Sequence, residues 1–473
     1  MIRDVSAAPF RDSRRTLQEK SMFIQAVGAR RYQPRFIKIQ TSESSVRFVI
    51  VFIAAFLLGP SAFAMAATKC VNPGGTAGCY ASINAAVAAA AIDDTIKVAA
   101  GTYHEDVVIA KPLSIVGAGA GRSIVDATGL SNGFNIDGHN NPGLNHVTVT
   151  GFTVRNANFE GILITNSSYV SIWDNNVTGN DKSLTFSPDP HCPGLPPYFV
   201  QGQDFDCGEG IHLSGVTHST IGSNVVEHNS GGILLSDDTG LTSDNLISGN
   251  VVNENPFDCA ITLASHHFQL GFNPAFGVFH NTVAENTITR NGLATNEGAG
   301  VGIFAGPPGG QNYGNVVIGN LMEGNGLPGV TMHSHAPFQN LNNNLIVGNH
   351  ISNNGPDGDA PTSGPTGIVV FSDTASGAPP ITGTVISQNI ISDEEIGIAV
   401  ATNGAVDAHL NSLDKMDVGV GNLSGGTVDA RQNWWGCKDG PTDSKCSQIV
   451  GPNVAFDPWL TKKIHDDKEG AKQ

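Results

Sequence analysis

The sequence predicts an all-β protein that folds as a right-handed parallel β-helix, and three observations support this fold class. A six-residue pattern led by asparagine recurs along the chain, a glycine-led apolar strand follows most of its copies, and 57 of the 473 residues are glycine. Short strands that repeat every twenty to thirty residues cannot each bury an apolar face alone. Successive copies must therefore stack, with coils about 4.8 Å apart.

The first 66 residues are predicted to form an N-terminal extension and a signal peptide. Residues 48–58 read FVIVFIAAFLL, follow Arg47 and precede a Gly-Pro pair and small residues suited to cleavage. The apolar run is well short of the roughly 20 residues that span a bilayer. A signal peptide around residues 46–66 is therefore favoured over a membrane anchor, and we expect a secreted, periplasmic or extracellular protein without stable membrane insertion after cleavage.

The charge distribution limits the partners of the chain. Its formal net charge is −17, ten of its 25 basic residues precede residue 65, and Arg290 is the only basic residue between Lys182 and Lys415. Such an acidic surface repels nucleic acid and anionic lipid. We expect a monomer that binds no nucleic acid.

The repeat itself has two parts. The asparagine-led copies are NNVTGN at 175, NVVEHN at 224, NVVNEN at 250, NTITRN at 286, NLMEGN at 320, NHISNN at 349 and the altered NIISDE at 389. Glycine-led or alanine-led strands follow, such as GIHLS at 210, GILLS at 232, AITLA at 260, GVTMH at 329 and GIVVF at 367. A side-chain amide at a repeated turn can bond to the coils above and below, so the asparagines are predicted to be structural.

These repeats resemble those of the pectate-lyase-like superfamily, in its branch of secreted bacterial parallel β-helix proteins without assigned function, over most of residues 81–436. Residues 82–119 are similar to the capping helix and first coils of pectin methylesterases, and residues 429–441 (DARQNWWGCKDGP) to the closing coil of secreted β-helix proteins. The resemblance implies an N-terminal cap with a helix over residues 67–100, a β-helix over 101–436, and a C-terminal cap and tail over 437–473. It specifies fold and leaves function open.

All seven cysteines follow the predicted cleavage site, as an oxidising compartment allows. Short-range pairs suggest the disulfides Cys70–Cys79 and Cys437–Cys446. The pair Cys192–Cys207 is the favoured third bridge and leaves Cys259 free, although sequence leaves the pairing of these three cysteines open.

Strand alternation locates the candidate site on one face. In GVTMHSH, Val330 and Met332 are predicted to point into the core, whereas Thr331, His333 and His335 point outward. The intervals between later repeats lengthen mainly after the glycine-led strand, so loops there are expected to wall a binding face. The predicted catalytic residues are Asp237, Asp238, His333 and His335, and the predicted substrate-binding residues are His212, His266, His267, Phe304, Phe371 and Asp373.

The leading hypothesis is a secreted protein that binds a polysaccharide along a loop-walled groove, with cleavage left open. If it is an enzyme, carboxylates and imidazoles suit a hydrolase or a metal-assisted lyase, with Ca²⁺ as the candidate cofactor and no metal ligands assigned. The first alternative is a non-catalytic cell-surface or glycan-binding solenoid. The second, from resemblance to periplasmic copper-binding β-helix proteins, is copper handling.

Overall fold

A computed structural model describes residues 66–180, 194–199, 208–265, 276–294, 297–360 and 362–463. These residues lie in one compact unit that spans Ala64–Gln473. They form a right-handed parallel β-helix, which confirms the predicted fold class. The predicted signal peptide lies outside the described residues except for its last position, and the predicted domain boundaries stay predictions.

Three long parallel sheets form the sides of the coil. The first sheet contains β1 (Thr68–Val71), β2 (Thr95–Val98), β5 (Ser114–Gly117), β8 (Thr148–Thr150), β11 (Ser171–Trp173), β14 (Thr220–Gly222), β18 (Leu246–Ser248), β22 (Thr282–Ala284), β25 (Val316–Ile318), β28 (Leu345–Val347), β31 (Thr384–Ser387), β34 (Ala405–His409), β37 (Thr427–Asp429) and β39 (Val454–Ala455).

The second sheet is built from the glycine-led strands of the repeat and carries the candidate site. It contains β4 (Val107–Ile109), β7 (Asn132–Asp137), β10 (Glu160–Thr165), β13 (Ile211–Ser214), β16 (Ile233–Ser236), β20 (Ile261–Ser265), β24 (Val301–Ala305), β27 (Val330–Ser334), β30 (Thr366–Ser372), β33 (Ile396–Ala401), β36 (Val418–Asn422) and β38 (Gln448–Val450).

The third sheet is built from the asparagine-led strands. It contains β3 (Gly101–Tyr103), β6 (Ser123–Asp126), β9 (Phe152–Arg155), β12 (Asn176–Thr178), β15 (Val225–Glu227), β19 (Val251–Asn253), β23 (Thr287–Thr289), β26 (Leu321–Glu323), β29 (His350–Ser352), β32 (Ile390–Ser392) and β35 (Ser412–Asp414). A further two-stranded pair joins β17 (Thr242–Ser243) to β21 (Val278–Phe279).

Buried asparagine ladders fix the turns between sheets, as the repeat predicts. Asn286 shows the pattern: its Oδ1 accepts from the backbone N and Nδ2 of Asn250, and its Nδ2 donates to Ile247 O and to Asn320 Oδ1. Since each amide joins its own coil to both neighbours, the ladder fixes the register of the stack.

The core fills the inside of the coil with branched aliphatic side chains. Val330 and Met332 are fully buried in it, as the alternation of β27 predicts. Because the side chains of a strand alternate, Thr331 and His333 project from the opposite side of the second sheet.

The predicted N-terminal capping helix is present. The N-terminal helix α1 (Ile83–Ala89) begins at Ser82, whose side chain accepts from Ala85 N, and the carboxylate of Glu105 accepts from Ser82 Oγ and from Ile83 N. At the other end, Trp435 is fully buried in the last coils. These groups cover the open ends of the core.

Two of the three predicted disulfides are confirmed, namely Cys70–Cys79 and Cys437–Cys446. The third, Cys192–Cys207, falls outside the described residues. Cys259 is a free, buried thiol whose pKa is raised by burial. Within the described part of the chain, no helix is both long and apolar enough to cross a membrane.

Candidate functional site

The outward face of the second sheet holds a row of side chains in register around His333. The strand pairing aligns His333 of β27 with Phe304 of β24 on one side and with Phe371 of β30 on the other. Both phenyl rings meet the imidazole edge to face, each with its centroid 5.4 Å away. The absence of a Cβ at Gly302 leaves room for the ring of Phe304. His333 is therefore held between two aromatic rings.

A carboxylate from the next coil fixes the imidazole. Asp357 Oδ2 lies 2.7 Å from His333 Nε2, and the hydroxyl of Thr331 donates to the same oxygen at 2.7 Å. His333 and Asp357 are 4% and 1% exposed, so this pair is shielded from water. The other ring nitrogen, Nδ1, lies 3.5 Å from Asp359 Oδ2.

The loop between β29 and β30 brings the two aspartates to the site. Asp357 Oδ1 accepts from the backbone N of Asp359 and of Ala360, and Asp357 N donates to Thr362 Oγ1. An aspartate that bonds to backbone groups two and three residues ahead locks a tight turn. This turn presents Asp359, whose side chain is 61% exposed, to solvent beside His333.

His335 completes the cluster from the opposite edge of the sheet. Its Nε2 lies 3.7 Å from Asp359 Oδ2, and its ring centroid lies 5.3 Å from that of His333. Gln339 fixes the loop that His335 begins, because its Oε1 accepts from His335 N and its Nε2 donates to Ala305 O. On the same loop, Phe338 is 80% exposed. We call His333, His335, Asp357 and Asp359 the His–Asp cluster.

The protonation of the two histidines differs. Burial disfavours the imidazolium of His333, but the hydrogen bonds and charges of Asp357 and Asp359 outweigh it and raise its pKa to about 9. Burial, followed by the charge of His333, lowers the pKa of His335. At neutral pH the cluster therefore holds one cationic and one neutral imidazole.

The aspartates of the cluster are ionised. Burial raises the pKa of Asp357, but the hydrogen bond and charge of His333 reverse this and lower it. The hydrogen bond from His333 lowers the pKa of Asp359. The solvent-facing groups of the cluster are thus a neutral imidazole and a carboxylate, which can transfer protons or ligate a cation.

Asp237 and Asp238 do not join this cluster. They follow β16, and three coil spacings, about 14 Å at 4.8 Å each, separate β16 from β27 in the second sheet. Asp237 is fully buried, and its Oδ2 accepts from Ser265 Oγ and Gly277 N. The structure therefore does not bring the four predicted catalytic residues together, and the contacts of Asp237 hold a loop.

His212 lies in a buried polar chain rather than in an open groove. Its Nδ1 contacts Glu160 Oε1 at 2.9 Å and its Nε2 contacts Ser236 Oγ at 2.8 Å. All three residues are at most 2% exposed, and the ring of Phe199 packs against His212. The prediction that His212 is exposed and contacts substrate is therefore wrong about exposure. Its side chain does lie on the outward side of the sheet, but other side chains cover that side at this position.

Of the other predicted substrate-binding residues, Phe304 and Phe371 flank His333 as described above. Asp373 caps a short 3₁₀ turn (Thr374–Ser376) by accepting from Ala375 N and Ser376 N. It thus shapes the loop that walls the face beyond β30. His266 and His267 lie outside the described residues.

Sequence reasoning missed Asp357, Asp359 and Phe338. The expected loop walls follow the glycine-led strand, whereas the two aspartates precede β30 and enter from the opposite edge. The available signal was the Asp-Gly-Asp stretch at residues 357–359, in the loop that leads into β30, the strand aligned with β27.

Comparison with known proteins agrees with the fold. Residues 118–308 match the family model described as the right handed beta helix region. The chain is similar to the A-module of mannuronan C-5 epimerase AlgE6 from Azotobacter vinelandii, at 14% identity and a TM-score of 0.53, over 81% of this chain and 95% of that chain. No curated protein matches the chain in sequence.

Two further solved structures are similar. DFA-IIIase from Arthrobacter chlorophenolicus A6 in complex with GF2 has 14% identity and a TM-score of 0.50, over 81% of this chain and 95% of that chain. The catalytic domain of a GH87 α-1,3-glucanase in complex with tetrasaccharides has 14% identity and a TM-score of 0.52, over 76% of this chain and 63% of that domain. At such identities the likeness shows the fold alone.

Proposed function

Because the chain is a right-handed parallel β-helix protein, we propose that it binds a polysaccharide along the outward face of its second sheet and cleaves it at the His–Asp cluster. One observation carries the proposal: His335 and Asp359 converge from two coils on His333, which lies between the rings of Phe304 and Phe371. The fold is shared with carbohydrate-acting proteins such as the α-1,3-glucanase, which supports the class of substrate.

The face suits a chain-like ligand. Phe304 and Phe371 are half-buried and Phe338 is exposed, so apolar ring surface lies next to polar groups. Aromatic rings provide flat apolar surface on which the C–H faces of sugars can pack, while a few polar groups set orientation. Loops at both edges of the sheet, one with His335 and one with Asp359, confine the ligand between them.

The charge of the face favours a neutral or weakly charged glycan. Arg290 is the only basic residue between Lys182 and Lys415, and it belongs to the third-sheet side, where it pairs with Glu254. The carboxylates of an acidic polysaccharide would therefore meet Asp359 and Asp373 with few cations to balance them.

We assign proton transfer to His335 and Asp359, the two members of the cluster that solvent reaches. Hydrolysis adds the hydroxyl of a water to the anomeric carbon and a proton to the leaving oxygen, so it needs one group that accepts and one that donates a proton. His335 is neutral and can accept, and Asp359 lies against the protonated His333, from which it can pass a proton on. His333, which supplies that proton, is itself positioned by Asp357.

The test is product release from a panel of plant and microbial polysaccharides, measured as new reducing ends. Wild-type protein from Ala67 onward is compared with His335→Gln and Asp359→Asn, for which we expect at least a 100-fold lower rate with the fold retained. Asp393→Asn is the matched control, since Asp393 is a surface carboxylate paired with Lys415 on the third sheet.

Two outcomes would overturn the proposal. If wild-type protein binds a glycan but releases no product, the protein is a binding solenoid and the catalytic assignment fails. If no glycan binds or is cleaved while a metal salt alone stabilises the protein, the polysaccharide function itself fails. Export by the predicted signal peptide, which the polysaccharide function requires, is tested by locating the N-terminus of the processed protein.

A further inference from the structure

We infer that His333 Nδ1, His335 Nε2 and Asp359 Oδ2 form a binding site for one divalent transition-metal ion, with Zn²⁺ as the best fit. These three atoms all lie within 4.8 Å of one another. In the described part of the chain, they are the only such group of three His, Cys, Asp or Glu ligand atoms. The inference deepens the proposed function. Only the identity of the substrate, a glycan, rests on that function; the binding of the ion does not.

The separations match the coordination geometry of zinc. Ligand bonds of about 2.0 to 2.1 Å in a tetrahedral site place neighbouring ligand atoms roughly 3.3 Å apart. Asp359 Oδ2 lies 3.5 Å from His333 Nδ1 and 3.7 Å from His335 Nε2. A closure of a few tenths of an ångström, within reach of the exposed Asp359 and the half-buried His335, completes these two contacts. The third pair, His333 Nδ1 and His335 Nε2, lies within 4.8 Å.

The environment of His333 orients it as a ligand. Its Nε2 faces Asp357 at 2.7 Å, so the proton on Nε2 is held there, and release of the Nδ1 proton on metal uptake leaves a lone pair that can face the ion. Metal-bound histidines almost always donate their other N–H to a carboxylate or carbonyl in this way. Thr331, which donates to the same Asp357 oxygen, and the buried turn of Asp357 make this arrangement rigid.

The ligand set selects the class of ion. Two imidazoles and one carboxylate suit zinc and its first-row neighbours better than Ca²⁺, which prefers six to eight oxygen ligands. Three protein ligands leave a fourth position for water, as in catalytic zinc sites. A water held there would lie beside the glycan face, and the ion would lower the pKa of that water. In the ion-bound protein His335 and Asp359 would then act as ligands rather than as the groups that transfer protons.

The alternative explanation is a purely hydrogen-bonded cluster, in which a doubly protonated His333 bridges Asp357 and Asp359 with no ion. The two cases differ in whether the protein takes up a metal in the absence of any glycan. Binding is therefore measured on the metal-stripped protein by calorimetry with Zn²⁺, and by the visible absorption of Co²⁺, which intensifies in a tetrahedral site.

We expect one ion per chain, with the affinity reduced at least 10-fold in His335→Gln and in Asp359→Asn. His218→Ala is the control, because His218 is an exposed histidine elsewhere on the coil and its loss should leave binding unchanged. Asp357→Asn, which removes the group that orients His333, should weaken binding 10- to 100-fold.

Stoichiometric binding that His335→Gln and Asp359→Asn leave unchanged would overturn the inference, as would a failure to bind either ion below millimolar concentration. Because binding is measured without glycan, the outcome is separate from the proposed function. Glycan cleavage by a protein that takes up neither ion would retain the function and refute the metal site, whereas metal binding without glycan binding would support the metal site and refute the function.

Discussion

Asp357 Oδ2 lies 2.7 Å from Nε2 of His333, although the two residues are 24 positions apart and enter the site from neighbouring coils. The contact is nearly sealed from solvent. This contact joins β27 to a loop of the next coil. It also fixes the orientation of the His333 imidazole, which lies at the centre of the His–Asp cluster. Asp357 is thus a positioning residue.

Replacement of Asp357 by asparagine should change the titration of His333. Asp357 contributes a hydrogen bond and a negative charge that hold the pKa of His333 near 9, so its neutralisation should lower that pKa by more than one unit. The measurement is an NMR titration of the imidazole in metal-stripped protein. Asp393→Asn is the control, and an unchanged pKa in Asp357→Asn would contradict the assigned contact.

Phe338→Asn should weaken glycan binding about 2- to 10-fold, because an aromatic contact contributes about 0.5 to 1.5 kcal/mol. Asparagine suits this position, since Phe338 has a positive φ of 65° that asparagine tolerates. The side chain is 80% exposed, so the melting temperature should stay the same. Ile92→Asn, an exposed apolar residue next to the N-terminal helix, serves as the control. Equal affinity in wild type and Phe338→Asn would remove this ring from the binding face.

Asn286→Ala should destabilise the coil by about 2 to 4 kcal/mol, because the ladder amide is buried and its loss leaves several polar partners unsatisfied. Its side chain takes part in four hydrogen bonds to neighbouring coils. Chemical denaturation gives the change in free energy of unfolding. The control is Asn403→Ala, which removes an exposed amide that accepts one backbone hydrogen bond. Its free energy of unfolding should fall by well under 1 kcal/mol. Similar losses in both variants would contradict the structural role of the ladder.

Glu394→Gln should stabilise the protein at neutral and alkaline pH. Glu394 occupies an asparagine position of a ladder, where it accepts from Asn354 N and Nδ2, and burial raises its pKa from 4.5 to about 7. Since the folded state holds this proton more tightly than the unfolded state, ionisation of Glu394 costs stability as pH rises from about 4.5 to 7.

The stability difference between Glu394→Gln and wild type should therefore be near zero below pH 4.5 and reach about 3 kcal/mol above pH 7. Thermal unfolding of both proteins across this pH range measures it. If the difference in stability between Glu394→Gln and wild type were the same at all pH values, the raised pKa of Glu394 would not be its cause.

The fold could be predicted from sequence because the repeat carries its own register. The asparagine of each copy marks a turn, and the alternation in GVTMHSH places Val330 and Met332 inside and His333 outside, as observed. Such local rules act through near neighbours in the chain, so they can be read residue by residue.

Only the part of the site that lies on the repeat strands could be predicted, because these local rules do not extend to the loops. His333, His335, Phe304 and Phe371 lie on or directly after repeat strands, where periodicity applies. Asp357 and Asp359 lie in a loop without periodicity, and no rule of strand alternation says which way such a loop folds. The repeat register groups Asp237 with His333 because Asp237 follows β16, a strand equivalent to β27, but three coil spacings separate the two strands.

The most direct test of the central claim is a crystal structure of the Asp359→Asn variant soaked with an oligosaccharide of the glycan that wild-type protein binds. We expect a sugar on the outward face of the second sheet, against Phe371 and Phe338, with a glycosidic or hydroxyl oxygen within hydrogen-bond distance of His335 Nε2. A sugar bound on the first or third sheet, with the His–Asp cluster left open to solvent, would contradict it.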